Sequence, residues 1–95
     1  SVRSNMSIPN NQFELPLGAR LDFGNDWELW LAGDTLATST WIAEEGITED
    51  GTPFTTTFAT VWLKDGELGK TYKVTNTITT AAGRVNVRPI FVTII

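Results

Sequence analysis

The 95-residue chain has no histidine and no cysteine. Without histidine, Ser-His and Cys-His nucleophile pairs are excluded, and so is imidazole ligation of zinc, iron or copper. Without cysteine, neither a disulfide framework nor a thiolate metal site can replace a hydrophobic core, so aliphatic and aromatic packing must hold the fold. The same absence leaves the compartment open, because it fits inside or outside a cell. Long apolar runs are also missing. The longest, Pro89-Ile90-Phe91-Val92-Thr93-Ile94-Ile95, is far shorter than the ~20 residues of a membrane span, and a soluble protein with no membrane partner is expected. Residues 1–12 lack the positively charged start and apolar stretch of a secretory signal. Asn5-Met6-Ser7 fits a glycosylation sequon, a pattern too common to weigh.

A strongly basic surface is lacking as well. The formal net charge is −4, with nine acidic against two basic residues in 1–50 and two acidic against five basic in 51–95. The five cations of the second half, Lys64, Lys70, Lys73, Arg84 and Arg88, are dispersed rather than gathered into a stripe interleaved with aromatics. Nucleic acid is therefore not an expected partner. Opposite charge on the two halves is expected as cross-strand pairs within a sheet, or as a means of orienting copies stacked head to tail.

Helical periodicity is absent: no window of about 11 residues repeats apolar positions at three-to-four spacing. Threonine and β-branched or aromatic residues fall instead in short bursts, the signature of strands. In Tyr72-Lys73-Val74-Thr75-Asn76-Thr77-Ile78, Tyr72, Val74 and Ile78 point one way and Lys73, Thr75 and Thr77 the other. Ala81-Ala82-Gly83 supplies a tight reversal, and Val85 to Ile94 pairs back as a hairpin. Pro89 cannot donate to a ladder, so this last strand is expected at an edge, or changes partner near that residue. Thr55 to Leu63 reads as a strand apolar on both faces, Thr35 to Ala43 as another, and Ala19 to Phe23 as the first. Thr48 to Pro53 reads as a hairpin turn or variable loop. The two glycines of Lys64-Asp65-Gly66-Glu67-Leu68-Gly69-Lys70 permit a sharp corner, with Leu68 expected to plug the core beneath it.

Strands spaced near ten residues apart, with turn signals between them, predict an all-β, immunoglobulin-like β-sandwich of six to seven antiparallel strands. A small closed barrel is the competing fold. The approach Gly69-Lys70-Thr71-Tyr72-Lys73-Val74 favours the sandwich. It has the form of a tyrosine corner, in which the Tyr72 phenol hydrogen-bonds backbone a few residues upstream. Two segments follow: an N-terminal arm over residues 1–18 and the sandwich domain over residues 19–95.

Carboxylates are the remaining source of chemistry. A pair of them can hydrolyse glycosides, but such a site needs a cleft, and a sandwich this small offers flat faces with its acids at solvated turns. Glu44-Glu45 and Glu49-Asp50 are the candidates for a loop calcium site, although their order lacks the alternating spacing of a helix-loop-helix site. No catalytic, cofactor-binding or metal-binding residue is expected, and the chain does not read as an enzyme.

Four tryptophans in so short a chain exceed what a small core usually takes. Trp41 and Trp62 fall on expected central strands and read as core. Trp27 and Trp30, in Asp26-Trp27-Glu28-Leu29-Trp30-Leu31, would face opposite sides of a strand. They could close the open edge of the sandwich as a lid, form a sugar-stacking platform, or anchor a protein interface.

The stretch from Asp26 to Trp41, with Gly33-Asp34-Thr35-Leu36-Ala37-Thr38-Ser39-Thr40-Trp41 as its longest specific part, resembles the small immunoglobulin-like structural proteins of tailed bacteriophages, among them fibre-to-tail adaptors. Val61-Trp62-Leu63, Tyr72 to Thr80 and Gly83-Arg84 continue the likeness, which runs from about residue 20 to the end. One departure is Lys64-Asp65-Gly66, where paired glycines are expected. The resemblance implies a non-enzymatic virion protein, present in several copies, that joins a fibre or other appendage to the tail or neck. Its partners would be other virion proteins and further copies of itself. Trp27, Trp30, Pro89 and the exposed threonine-rich strand faces are the candidate contacts. A carbohydrate-binding module, with Trp27, Trp30 or Trp41 stacked on a sugar, and an immunoglobulin-like surface spacer are the alternatives.

Overall fold

Alternation of apolar and polar side chains builds this molecule. The computed structural model describes residues 11–95, and the expectations that fall on residues 1–10 lie outside them. Seven strands and one helical turn follow in order: β1 (Gln12–Leu15), β2 (Leu21–Asp26), α1 (Glu28–Leu31), β3 (Leu36–Ala43), β4 (Thr48–Glu49), β5 (Phe58–Lys64), β6 (Thr71–Thr80) and β7 (Val85–Ile94). One sheet has the order β1-β7-β6-β3 and the other β2-β5-β4. The two sheets are separate, so the fold is a sandwich and not a closed barrel.

β5 and β6 bury every second residue, and β7 does so over Ile90–Ile94. Ala59, Val61 and Leu63 of β5 meet Tyr72, Val74 and Ile78 of β6 and Ile90, Val92 and Ile94 of β7, and all nine are buried. Full burial of an aliphatic side chain of this size stabilises by about 1.5–3 kcal/mol. At one end of the sandwich Phe13 of β1 and Phe23 of β2 close the gap between sheets, with ring centroids 5.2 Å apart.

Several elements differ from the sequence-based expectation. Not every strand is antiparallel: β1 runs parallel to β7, with Gln12 opposite Phe91 and Leu15 opposite Ile94. Residues 12–15, expected in the arm, are thus part of the sheet, and Leu15 is buried. The alternation Phe13, Leu15 is too short to stand out in sequence, and its partner lies at the far end of the chain. Of the residues expected as the first strand, Leu21, Asp22 and Phe23 belong to β2, whereas Ala19 and Arg20 precede it. Thr48 and Glu49, read as a turn or loop, pair with Lys64 and Leu63 as the third strand of the smaller sheet. Leu68 is 61% exposed and does not plug the core. Its place is taken by Tyr72 and Ile94, which pack so closely on Gly66 that a Cβ there would collide with the Ile94 side chain.

The last strand is interior over Phe91–Ile94, where β1 covers it, and open only over Val85–Ile90. Phe91 N–H donates to Asn11 at 2.8 Å, so the backbone groups of Pro89, two residues earlier, face the same side, just beyond the end of β1. The missing N–H therefore costs no ladder bond. Val87 N–H, next on that side, is taken by the Asn86 side chain at 2.8 Å.

Leu63, fully buried between the sheets, tests this core. Leu63→Ala is expected to lower the unfolding free energy by about 2–5 kcal/mol. The measurement is a urea titration, read as a lower midpoint at unchanged slope, and a loss below about 1 kcal/mol would contradict the packing described.

Candidate interaction surface

Asn76 interrupts the apolar face of β6 and is fully buried. Its Oδ1 accepts from Trp27 Nε1 at 3.0 Å and from Asn25 Nδ2 at 3.3 Å. Its Nδ2 donates to Ser39 Oγ at 3.1 Å and to Thr40 O at 3.0 Å. Two acceptances and two donations use the full capacity of the amide. The alternation that places Tyr72, Val74 and Ile78 inward also places Asn76 there. That phase is the sequence signal for this residue, although the residue type alone reads as surface.

Trp27 and Trp30 do not lie on a strand. Trp27 precedes and Trp30 lies within the single helical turn α1, where Asp26 Oδ1 accepts from Glu28 N at 3.0 Å at the start and Ala32, at φ 51, closes the end. The turn carries both indoles to the same side, in edge-to-face contact with centroids 5.4 Å apart. Trp27 has no exposed surface and offers a partner nothing. Trp30 is half-buried.

Arginines cover three of the indoles. Arg84 lies 4.2 Å over Trp30, Arg88 3.9 Å over Trp27 and Arg20 4.4 Å over Trp62. Trp62 is half-buried on the outside of β5 and not in the core, whereas Trp41 is buried. Sequence could not choose between the two apolar faces of β5, and the Arg–Trp pairs join residues too distant in the chain for any local pattern to reveal. A sugar ring would find these indoles covered.

Asp34 ties this region to the β6–β7 hairpin. Its carboxylate accepts from Thr35 N at 2.8 Å, Ala82 N at 3.3 Å and Arg84 Nε at 3.2 Å. The Thr80 hydroxyl, then the Thr35 amide, Arg84 and the Ala82 amide hold its pKa below the ordinary 3.8. Arg20 does the same for Asp50, donating to its carboxylate at 2.6 Å. Arg84–Asp34 joins the two oppositely charged halves of the sequence, whereas Arg20–Asp50 and Lys70–Glu67 lie within a half.

The Tyr72 phenol accepts from Glu67 N, five residues upstream, at 3.0 Å. Gly46, at φ +109, lies so close that a Cβ there would sit 2.9 Å from the ring. Asp65, in the corner where the resemblance expects paired glycines, takes the left-handed backbone a glycine would adopt, at φ 70. A groove of about 500 Å³ beside the ring is lined in part by Glu45, Asp65 and Glu67. Among the described residues no group of three His, Cys, Asp or Glu is placed to hold a metal ion. Of the calcium candidates, Glu44 instead accepts from Lys73 N at 2.7 Å and Asp50 pairs with Arg20.

The outer face of the larger sheet is open to contact. Thr38, Thr40 and Ile42 of β3 and Thr75, Thr77 and Thr79 of β6 point outward there, next to Val85, Val87, Pro89, Phe91 and Thr93 of β7. Ile42 is 70% exposed and Val85 63%. Across these three strands Lys73 is the one outward charge.

Fold and surface together define a small all-β module whose buried polar groups and indoles are engaged almost entirely with one another. Residues 17–93 match the family model described as podophage GP4 fiber-tail adaptor protein gp77, and the chain belongs to that family. It is a phage fibre-to-tail adaptor and a component of the virion. A structural role of this kind points away from catalysis. A search of curated proteins found no match.

Two outcomes test the internal network. Asn76→Ala strands the Trp27 and Asn25 donors and is expected to cost at least about 2 kcal/mol, measured by urea unfolding. Because the Asp34 and Asp50 pKa values are lowered, their contribution to stability is present above the ordinary 3.8 and is lost as pH falls through the folded values. The urea midpoint should therefore drop on acidification below that point, and Asp34→Asn with Asp50→Asn should flatten the drop.

Proposed function

We propose that this chain is an immunoglobulin-like adaptor that joins a fibre or other appendage to the tail or neck of its phage. It acts in several copies, without catalysis. The family match over residues 17–93 carries the adaptor reading. The immunoglobulin likeness rests on strand order: β2-β5-β4 corresponds to the B, E and D strands of that fold. In β1-β7-β6-β3 the last three strands correspond to G, F and C, with the first strand moved beside G. The Tyr72 phenol on the penultimate strand adds to it.

An adaptor must bind other virion proteins through its outside. The flat, nearly uncharged outer face of the larger sheet suits that task, because little charge must be desolvated when it is covered. Trp30 and Pro89, both half-buried, are candidates at its margin.

Phage particles assembled without this chain should carry tails that lack the appendage. Supplying Thr75→Lys with Thr77→Lys, two outward positions on β6, should restore less attachment than the unaltered chain does. Fully decorated particles in the absence of the chain, seen by electron microscopy, would sink the adaptor reading.

A further inference from the structure

An unpaired sheet edge offers backbone donors and acceptors to any extended chain, and proteins guard such edges with charge, proline, bulges or shortness. Most edges here are guarded. β1 is four residues long and carries Glu14; β2 carries Asp22 and Asp26; β4 is two residues long and includes Glu49. The open part of β7 has Pro89, and its Val87 N–H is occupied by Asn86. β3, which ends the larger sheet, is different. Its eight residues, Leu36-Ala37-Thr38-Ser39-Thr40-Trp41-Ile42-Ala43, include no charge, proline or glycine.

The open groups on β3 can be named. Glu44 N–H donates to Lys73 O at 3.2 Å, so by alternation Ile42 and Thr40 also bond toward β6. The backbone N–H and C=O groups of Ser39, Trp41 and Ala43 point the other way, and among the described residues no strand meets them. A second observation falls on the same strand. Trp41 Nε1 is buried without a hydrogen-bond partner, the one such side-chain atom among the described residues.

We propose that β3 is the seam between two copies of this chain, paired antiparallel edge to edge so that the four-stranded sheets become continuous. The inference rests on the reading of the chain as an adaptor acting in several copies. A two-fold axis at Thr40 sets Ser39 of each copy opposite Trp41 of the other, and the outward backbone groups of both then exchange bonds. On the outer face Thr40 meets Thr40, and Ile42 meets Thr38. Thr71 and Thr93 already make such a cross-strand pair within the sheet, with hydroxyls 2.8 Å apart.

Charge selects a second copy as the occupant. With a net charge of −4, two copies approaching by β2 or β4 bring acids together, whereas nothing along β3 repels its own kind.

The test is sedimentation velocity of the full chain over a concentration series, with amide hydrogen exchange by NMR at the upper end. A concentration-dependent dimer is expected, with the Ser39, Trp41 and Ala43 amides protected in it. Ile42→Lys puts a charge on an exposed edge position, and Ala43→Pro removes an outward N–H without touching the β6 ladder. Each should weaken dimerisation at least about tenfold while near-ultraviolet dichroism shows the fold intact. Val87→Lys, on the same face but away from β3, should leave the dimer unchanged. A monomer at every concentration overturns the seam, as does a dimer indifferent to both β3 variants. So does protection of β3 only when another virion protein is added. None of these failures touches the adaptor role, which is decided separately by attachment of the appendage in particles lacking the chain.

Discussion

The amide of Asn76 is the constraint on which the other elements settle. Surrounded by apolar packing, it is tolerable only with all its hydrogen-bonding capacity used, and its partners come from β2, β3 and the residue opening α1. Each partner thereby acquires a fixed place. A one-residue slip of β6 against β3 would turn Asn76 out and bring Thr75 or Thr77 into the core, leaving the Trp27 indole N–H and the Asn25 amide unpaired in a dry interior. Hydrophobic burial holds the sheets together without specifying register. The amide specifies it, across both sheets at once.

From Trp27 the constraint passes outward. With one edge fixed by Asn76, the indole presents a face to Arg88 and an edge to Trp30, and Trp30 in turn supports Arg84. Arg84 donates to Leu31 O at 2.9 Å and to Asp34, so a loop before β3 and a hairpin far along the chain are held by one guanidinium. A domain of this size buries a modest fraction of its surface and has no disulfide to help. Half-buried indoles roofed by arginine extend the packed interior beyond the two facing sheets, which accounts for a tryptophan content larger than the core needs.

Legibility in the sequence followed the same physics. β6 could be read because one face of it is buried, which forces a period of two over many residues, and β5 and β7 from their runs of β-branched and aromatic residues. The one-turn helix Glu28–Leu31 was not legible, since four residues carry no period and the strand reading fits them equally well. β1 was not legible because its reason for being a strand is a parallel partner at the opposite end of the chain. The arginine roofs depend on three-dimensional proximity alone. For contact, the sequence pointed to Trp27, whose role turned out to be internal. The outer threonine ladder could be read from the phase of β6, and Asn76 from that same phase, once residue type was set aside in favour of position.

The two sheets divide the work unequally. The smaller one carries Asp22, Asp26 and Glu49 on its strands, with the Arg20–Asp50 pair beside them, a mixture that favours water over a flat partner. The larger one has almost no charge on the outer face of three strands and none along its free edge. Face and edge are perpendicular, so an occupant of one does not displace an occupant of the other. The proposed contacts, with a second copy and with a different virion component, call for two such surfaces on one rigid body. Placing both on a single sheet means that the register set at Asn76 orients them relative to each other, which ties the geometry of assembly to the innermost polar group of the fold.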